Sequence, residues 1–467
     1  MRICMILEGS YPYVFGGVSS WMHRYIKAMP EQKFVLWCIG AKAEDRGRYK
    51  YELPENVVEV REVFLDDALK LKSSRRERNR LKLTRQQKDT FMDLFEGKSP
   101  DWEVLFELFQ ENQVNPAAML MSREFLRVFI RLCKEKFPYI SFSEFFHTVR
   151  SMMLPELYLL TQPVPEADLY HATATGYSGL LGSLGKWKNK RPFLLTEHGI
   201  YTREREEELL RADWVLPFFR QQWIDLFYVF STCAYQYADR VTCLFERARE
   251  MQQEIGCPPE KQRVIENGVC LERFSGIPPK QEDGWVDIGA VVRIAKIKDI
   301  KTMIYAFAEV KAEMPNTRLH IMGDVDDPEY FEECRLLVKQ LGISDIVFTG
   351  VVDIIPYMEK IDFTILTSIS EGQPLSVLES FAAGRACVAT DVGCCRELIY
   401  GKDEFGPAGL CVPPMNKERL AQAMLELCQK SAERERMGLA GRARVEEYYT
   451  DVLSMQKYRK LYEEVSS

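Results

Sequence analysis

Two glutamates eight residues apart, Glu371 and Glu379 in SISEGQPLSVLES, carry the strongest chemical signal in this sequence. A strand ending near Leu366 precedes the first, and the second lies on the helix that follows. The short loop 372–376 opens that helix, whose N-terminus presents unpaired N–H groups and the positive end of a dipole. A phosphate fits there. Two carboxylates flanking an anion site suit a ligand with hydroxyls on both sides of a diphosphate, and a nucleotide sugar has ribose on one side and a hexose on the other. The plainer alternative is a capping acid followed by a solvated helix acid.

Arg293 and Lys298, in VVRIAKIKDI, follow the first strand of the same half of the chain. Two cations at a strand's carboxyl end suit a diphosphate and would stabilise a leaving group's charge as a glycosidic bond breaks. Alone, such a pair is usually solvated surface. In the first half, Gly16-Gly17 would let backbone approach a ligand closely, and His198 in TEHGIY sits on a loop after a strand. A lone histidine is more often structural than functional, and only its place at a strand's end makes the two readings about even.

The elements that must position these residues read as two open α/β sheets. Strand, glycine turn and helix open the chain at 2–7, Gly16-Gly17 and 20–29, with a further strand at 34–39 and then a charged loop. From about 65 to 160 the texture is Leu, Phe, Lys, Arg and Glu at helical spacing, which predicts a helical insertion. It contains a basic run, 70–88, with nine Lys or Arg against one Glu. That run is a solvated helix face, or a docking surface for an acidic partner or anionic lipid. Strand-then-loop units resume at DLYHAT and PFLLTEHG, followed by an aromatic helix, a strand at 240–243, a helix at 246–255 and the turn RVIENGV.

The predicted N-terminal domain is 1–274, and the Pro- and Gly-containing stretch 275–285 is the predicted linker. Strands at 286–292, 318–322, 345–348, 363–366 and 387–390 then build a second doubly wound domain, 286–448. An amphipathic helix, 449–467, ends the chain. A ligand is expected in the crevice at the strands' carboxyl ends, between the two domains.

Composition narrows the function classes. The chain has 467 residues, a length that suggests two or three domains, and its seven Trp and 46% hydrophobic residues make sizeable cores available. A net charge of −7 argues against a nucleic-acid binder. The thirteen Cys are scattered without zinc spacing, which fits a reducing cytoplasm. The opening MRICMILEGSYP reads as a strand rather than a signal peptide. Arg220 and Asp225 interrupt the aromatic segment 214–235, so it reads as a buried helix rather than a membrane span, with interfacial contact as the alternative.

With these motifs in place, the chain resembles glycosyltransferase family 4, retaining enzymes of the GT-B fold. The resemblance rests on Glu371 and Glu379, on Arg293 with Lys298, on ENGV followed by LERF, and on FTGVVDIIPYMEKIDFTILTS. It covers about 165–465 and, less closely, the first forty residues. Within the family it is most similar to Pel-type polysaccharide glycosyltransferases, through LEGSYPYVFGGVSSW, TEHGIYTRER and SEGQPLSVLES. That group implies UDP-glucose as donor, a glycan acceptor, and an exported polysaccharide assembled at the cytoplasmic side of a membrane, beside a membrane-bound export complex.

The resemblance further implies that Arg293 and Lys298 bind diphosphate, that Glu379 binds ribose and that Glu371 faces the donor sugar. The backbone of Leu375 and Ser376 would hold phosphate, the main chain of Val352 would meet the base, and Asn267 would lie on the donor side. His198 would approach the transferring sugar, with Gly16-Gly17 near the donor phosphates. Many members carry E-G-F-G-L, where this chain has Gln373-Pro374, and proline has no N–H to donate. GDVDDPEY looks like a metal-binding D-x-D, but this family needs no metal, so Asp324, Asp326 and Asp327 are expected to form a polar loop. A UDP-sugar epimerase on the same fold and a non-catalytic nucleotide-sugar-binding scaffold are the competing functions.

Overall fold

The computed structural model describes residues 1–212, 215–274 and 276–466. Trp214, which opens the aromatic segment, Ser275, where the expected linker starts, and Ser467, the end of the expected terminal helix, lie outside the described residues. The chain divides into two compact units, Met1–Val264 with Arg459–Ser467, and Ile265–Tyr458.

The first unit is a seven-stranded parallel sheet. Its strands are β1 (Arg2–Glu8), β2 (Lys33–Gly40), β3 (Val57–Phe64), β4 (Leu169–Ala172), β5 (Phe193–Thr196), β6 (Arg240–Cys243) and β7 (Gln262–Val264). Their order is β3-β2-β1-β4-β5-β6-β7. Inner strands such as β1, with Ile3 to Leu7 all buried, are continuous apolar runs because helices cover both faces of a parallel sheet.

The edge strand β3 falls where the sequence reads as a charged loop. Only one side of an edge strand pairs, so VVEVREVF tolerates charges that would be expensive inside. Glu59 takes Arg61 at 2.6 Å and also Arg2, and Glu62 accepts from Tyr13 Oη at 2.7 Å.

The helical insertion lies between β3 and β4. Its helices are Arg75–Arg80, Arg85–Phe95, Trp102–Phe106, Pro116–Leu120, Arg123–Glu135 and Phe142–Leu160. Ser74, Thr84, Asp101, Asn115 and Ser122 each accept a first-turn N–H, which fixes five of the six starts. Phe91, Phe95, Phe125, Phe129 and Phe145 join the core of the unit. The aromatic helix Arg220–Tyr237 packs into the same core, with Phe230 against Trp102 and the preceding Phe219 stacked on Phe145 at 5.7 Å. Among the described residues no helix is long and apolar enough to cross a membrane. All thirteen cysteines are free, Cys394 and Cys395 among the buried ones.

Glu156 is buried on helix Phe142–Leu160, with Tyr177 Oη donating to it at 3.3 Å and its Oε2 unpartnered. Burial pushes its carboxyl from 4.5 up to about 8. Between those values the folded chain keeps a proton that the unfolded chain releases, so stability falls as pH rises and levels off above about 8. Glu156→Gln removes that slope. The stability difference between variant and parent should therefore move in the variant's favour by about 1 kcal/mol per pH unit over this window. Urea melts at pH 5 and pH 8 check it, and an equal difference at both would be the wrong answer.

The second unit is a six-stranded parallel sheet: β8 (Val286–Val291), β9 (Thr317–Met322), β10 (Ile346–Gly350), β11 (Phe363–Leu366), β12 (Cys387–Thr390) and β13 (Gly409–Val412). Their order is β10-β9-β8-β11-β12-β13. The short strand β13 was not anticipated in the sequence. A side chain at Gly409 would lie 1.9 Å from the Cys387 carbonyl, so glycine lets this strand close against β12.

The division between units falls at Val264/Ile265, ahead of the 275–285 stretch expected to link them. Val269 bridges Thr450, which ties the preceding segment into the second unit. Lys280 is then fixed by Asp283 at 2.9 Å, Asp287 at 2.5 Å and Asp362 at 3.2 Å.

The last helix, Asp451–Ser466, begins in the second unit, and from Arg459 it belongs to the first. Arg459 pairs with Glu31, and Glu464 pairs with Arg240. The Tyr462 hydroxyl accepts from Tyr25 Oη at 2.6 Å and bonds His171 Nδ1 at 2.7 Å, while His171 Nε2 meets Thr196 Oγ1 at 2.8 Å. Burial lowers the His171 pKa to about 3, so this chain of polar groups is neutral.

Candidate functional site

In an open α/β sheet, ligands bind beyond the carboxyl ends of the strands where strand order reverses, because the flanking loops part there. That point lies between β8 and β11 in the second unit and between β1 and β4 in the first.

Lys298 and Glu371 meet at the second unit's reversal point. β8 runs into the turn Lys296–Lys298, and Asp299, in the left-handed region, caps helix Ile300–Glu313. β11 runs into 367–374 and helix Leu375–Ala382. Lys298 Nζ donates to Glu371 Oε1 at 2.5 Å, and Ser368 Oγ donates to the same oxygen at 2.5 Å. Their side chains are 18% and 12% exposed, a pair shielded enough to matter yet still open to a ligand.

The backbone beneath this pair is held independently. Thr367 Oγ1 donates to the Lys298 carbonyl at 2.8 Å, and Ile369 N–H donates to Ile297 at 2.9 Å. Thr390 Oγ1 donates to the Ser368 carbonyl at 2.6 Å. Gly393, at φ 55°, packs so closely that a side chain there would lie 2.2 Å from the Gly372 carbonyl. The loop is thus clamped from two neighbouring strand ends, those of β8 and β12.

The Gln373-Pro374 departure has its own structural account. Gln373 is buried, and its Oε1 accepts from the Asn267 main-chain N–H at 2.6 Å. Pro374 occupies the N-cap position, so Leu375 and Ser376 supply the first helical N–H groups. Those amides have no acceptor inside the helix. Glu379 is half-buried one turn further on.

Arg293 is not brought to Glu371. It is exposed and ion-paired with Asp326. Asp327 caps helix Pro328–Leu341 by accepting from Tyr330 N–H at 3.0 Å, and Asp324 accepts from Val325 N–H at 2.8 Å. Among the described residues no group of three or more His, Cys, Asp or Glu side chains is arranged to hold a metal ion. Val352 sits in the loop between β10 and helix Ile354–Met358.

In the first unit, Gly16 and Gly17 begin helix Gly17–Lys27 after β1. Gly16 is extended, at φ 173°, neither glycine lies in the left-handed region, and a side chain at either would touch nothing within 4 Å. Neither packing nor backbone conformation demands glycine there. One turn on, Trp21 packs edge-on against His198, with ring centres 4.4 Å apart. His198 Nε2 is shielded without a hydrogen-bond partner, and burial lowers its pKa to about 4, which leaves the ring neutral near pH 7.

Three further residues join those singled out from the sequence. Ser368 stands three residues before Glu371, and that short spacing was the available signal. Glu197, beside His198, is buried and accepts from Tyr235 Oη at 2.6 Å, Gln252 at 2.9 Å and Thr175 at 3.3 Å. Burial raises its pKa to about 7. Glu8, at the end of β1, accepts from Tyr201 Oη at 2.7 Å, and burial raises its pKa as well.

Comparison with known proteins follows the same division. Residues 286–430 match the family model described as "Glycosyl transferases group 1". The chain is 28% identical over 251 residues to the alpha-monoglucosyldiacylglycerol synthase of Streptococcus pneumoniae, covering 48% of this chain and 54% of that protein. It is 24% identical over 266 residues to the MMP alpha-(1->4)-mannosyltransferase of Mycolicibacterium hassiacum, covering 56% and 62%. The chain therefore spans somewhat over half the length of these relatives. The crystal structure of Anabaena Alr3699/HepE in complex with UDP aligns over 99% of this chain and 100% of its own, with a TM-score of 0.63 at 14% identity, a likeness of fold. Two Rossmann-like units in this arrangement of strands are the GT-B fold, related in the second unit to group 1 glycosyl transferases. Residues 1–260, more than half of the chain, match the model described as "Domain of unknown function (DUF3492)", and the chain belongs to that family.

Proposed function

We propose that the chain is a retaining glycosyltransferase that moves glucose from UDP-glucose to a glycan acceptor in the synthesis of an exported, Pel-like polysaccharide, at the cytoplasmic side of a membrane. The observation that carries this reading is the Lys298–Glu371 pair beside the open amides of Leu375 and Ser376, at the reversal point of the second sheet. HepE, of the same fold, holds UDP in one crystal structure and UDP-glucose in another, which supports the donor class.

In this reading Lys298 and Arg293 stabilise the diphosphate as the anomeric C–O bond breaks and its electron pair moves to phosphate. Arg293 would exchange Asp326 for the ligand. Leu375 and Ser376 add backbone donors, the main chain of Val352 meets the base, and Asn267 completes the donor side. Glu371 faces the sugar, where positive charge develops. The acceptor oxygen bonds the same face, and its proton passes to the departing phosphate oxygen. His198, neutral near pH 7, and Gly16-Gly17, unconstrained by packing, are the first unit's candidates in this reading. Side-chain cations do the work of a metal, so none is required.

Glu379 grips ribose alike in ground and transition states, so Glu379→Gln should raise KM for donor about tenfold or more with little change in kcat. Thermal shifts with UDP-, GDP- and ADP-sugars, in EDTA, test the donor, since the true one stabilises by mass action. Preference for another nucleotide, or binding abolished by EDTA, would count against it. UDP release that needs no acceptor and yields an isomerised UDP-sugar would favour an epimerase, and binding without turnover would favour a scaffold.

A further inference from the structure

The insertion carries a cationic segment that sugar transfer leaves unused. Residues 70–88 hold nine Lys or Arg and one acid, Glu77. Glu77 is occupied locally: its carboxylate accepts from Ser74 N–H at 2.6 Å while Ser74 Oγ accepts from Glu77 N–H at 3.1 Å. Lys70 pairs with Asp67, Lys88 with Glu124 and Arg85, more distantly, with Asp89. Among the described residues, Lys72, Arg75, Arg76, Arg78, Arg80 and Lys82 have no carboxylate partner, and all but the half-buried Arg78 are exposed.

These cations are presented by an ordered scaffold. Leu71 and Leu81 pack on the core of the unit, and Leu83 is buried in it. Asn115 Nδ2 donates to the Lys72 carbonyl at 2.9 Å, and a second capping box joins Thr84 to Gln87. Along 69–88, Leu69 is the one large apolar side chain exposed among the described residues.

We propose that this segment is the surface by which the chain lies against an anionic lipid bilayer, an inference independent of the transfer reaction. Guanidinium forks match phosphate oxygens, and a lipid surface offers many of them without requiring shape complementarity. A protein partner would call for a buried apolar centre, which a single exposed leucine does not provide. The whole chain carries −7, so attraction to a negative surface must come from this patch rather than from overall charge.

The test is sedimentation of the full chain with vesicles of phosphatidylcholine containing about 30% phosphatidylglycerol, and with pure phosphatidylcholine, at low salt. Binding is expected only to the anionic vesicles, with release near 0.5 M salt, where the screening length falls to roughly 4 Å. Replacing Arg75, Arg76, Arg78 and Arg80 together by Gln should weaken partitioning about 100-fold or more, with circular dichroism unchanged. Equal binding to neutral vesicles, no binding to anionic ones, or full retention by the variant would overturn the proposal. Tighter capture by polyglutamate than by the vesicles would assign the patch to an acidic protein instead. Should the variant misfold, the salt titration of the parent chain decides.

Discussion

Lys298→Ala should lower kcat about 10²–10³-fold, the scale of losing one preorganised group that stabilises developing charge. The effect should be specific because the backbone there does not depend on the side chain. Thr367 holds the Lys298 carbonyl, Asp299 caps the next helix, and Ile369 fixes the neighbouring turn. Glu371 would keep its bond from Ser368, so the loop retains one of its ties. Glu371→Gln should also reduce kcat more than it disturbs KM. The double variant should fall short of the sum of the two losses, since the residues share one ion pair. Steady-state UDP release on folded protein measures all three. A well-folded Lys298→Ala protein turning over near the parent rate would remove Lys298 from the reaction.

Arg444→Ala should destabilise the second unit by about 3–5 kcal/mol, the cost of leaving a buried charge without its partner. The Arg444 side chain, on helix Ser431–Tyr448, is 1% exposed and that of Asp403 is 7% exposed. The guanidinium forks onto both Asp403 oxygens at 2.7 and 2.8 Å. It also donates to the carbonyls of Leu398 and Ile399, each at 2.8 Å, and of Gly406 at 2.6 Å. Alanine takes the guanidinium donors from all of these acceptors, and among the described residues only Asp403 Oδ1, with the Phe405 N–H, and the Ile399 carbonyl, with the Ala408 N–H, keep another donor. Lysine lacks the planar fork and should rescue only part of the loss. Because Arg444 holds the Asp403 carboxyl below its ordinary value, the pair's contribution is present above that value and lost as pH falls through the lowered one. Guanidinium melts would decide the matter, and a loss below about 1 kcal/mol would mean the network is dispensable.

What the sequence made legible followed from how each signal is encoded. Strands β6, β11 and β12 fall on the predicted residues because each is a short, almost wholly buried stretch of apolar and β-branched residues. β3 was missed because Glu59, Arg61 and Glu62 make an edge strand look like a loop. The Glu371–Glu379 spacing could be read as loop followed by helix because both lie on one short stretch of chain. The partner of Arg293 could not, since Asp326 is 33 residues away and reaches it only through the packing of loops. The role of Gln373 was hidden in the same way, because the Asn267 N–H it binds lies 106 residues earlier. Spacing encodes what one element does, and contacts between loops become visible only in the folded chain.

The first unit is not one contiguous stretch of sequence. Its buried polar chain through Tyr25, His171 and Thr196 is completed by Tyr462, from the far end of the polypeptide. A fragment cut at Val264 would therefore expose the seat of Tyr462 and leave Arg240 without Glu464. The same constraint bears on evolution by recombination. A crossover between relatives at the sequence boundary would pair one ancestor's sheet with another's closing helix. Such chimaeras should survive only when residues 459–467 travel with the N-terminal half, so exchange of the second unit calls for two crossovers rather than one.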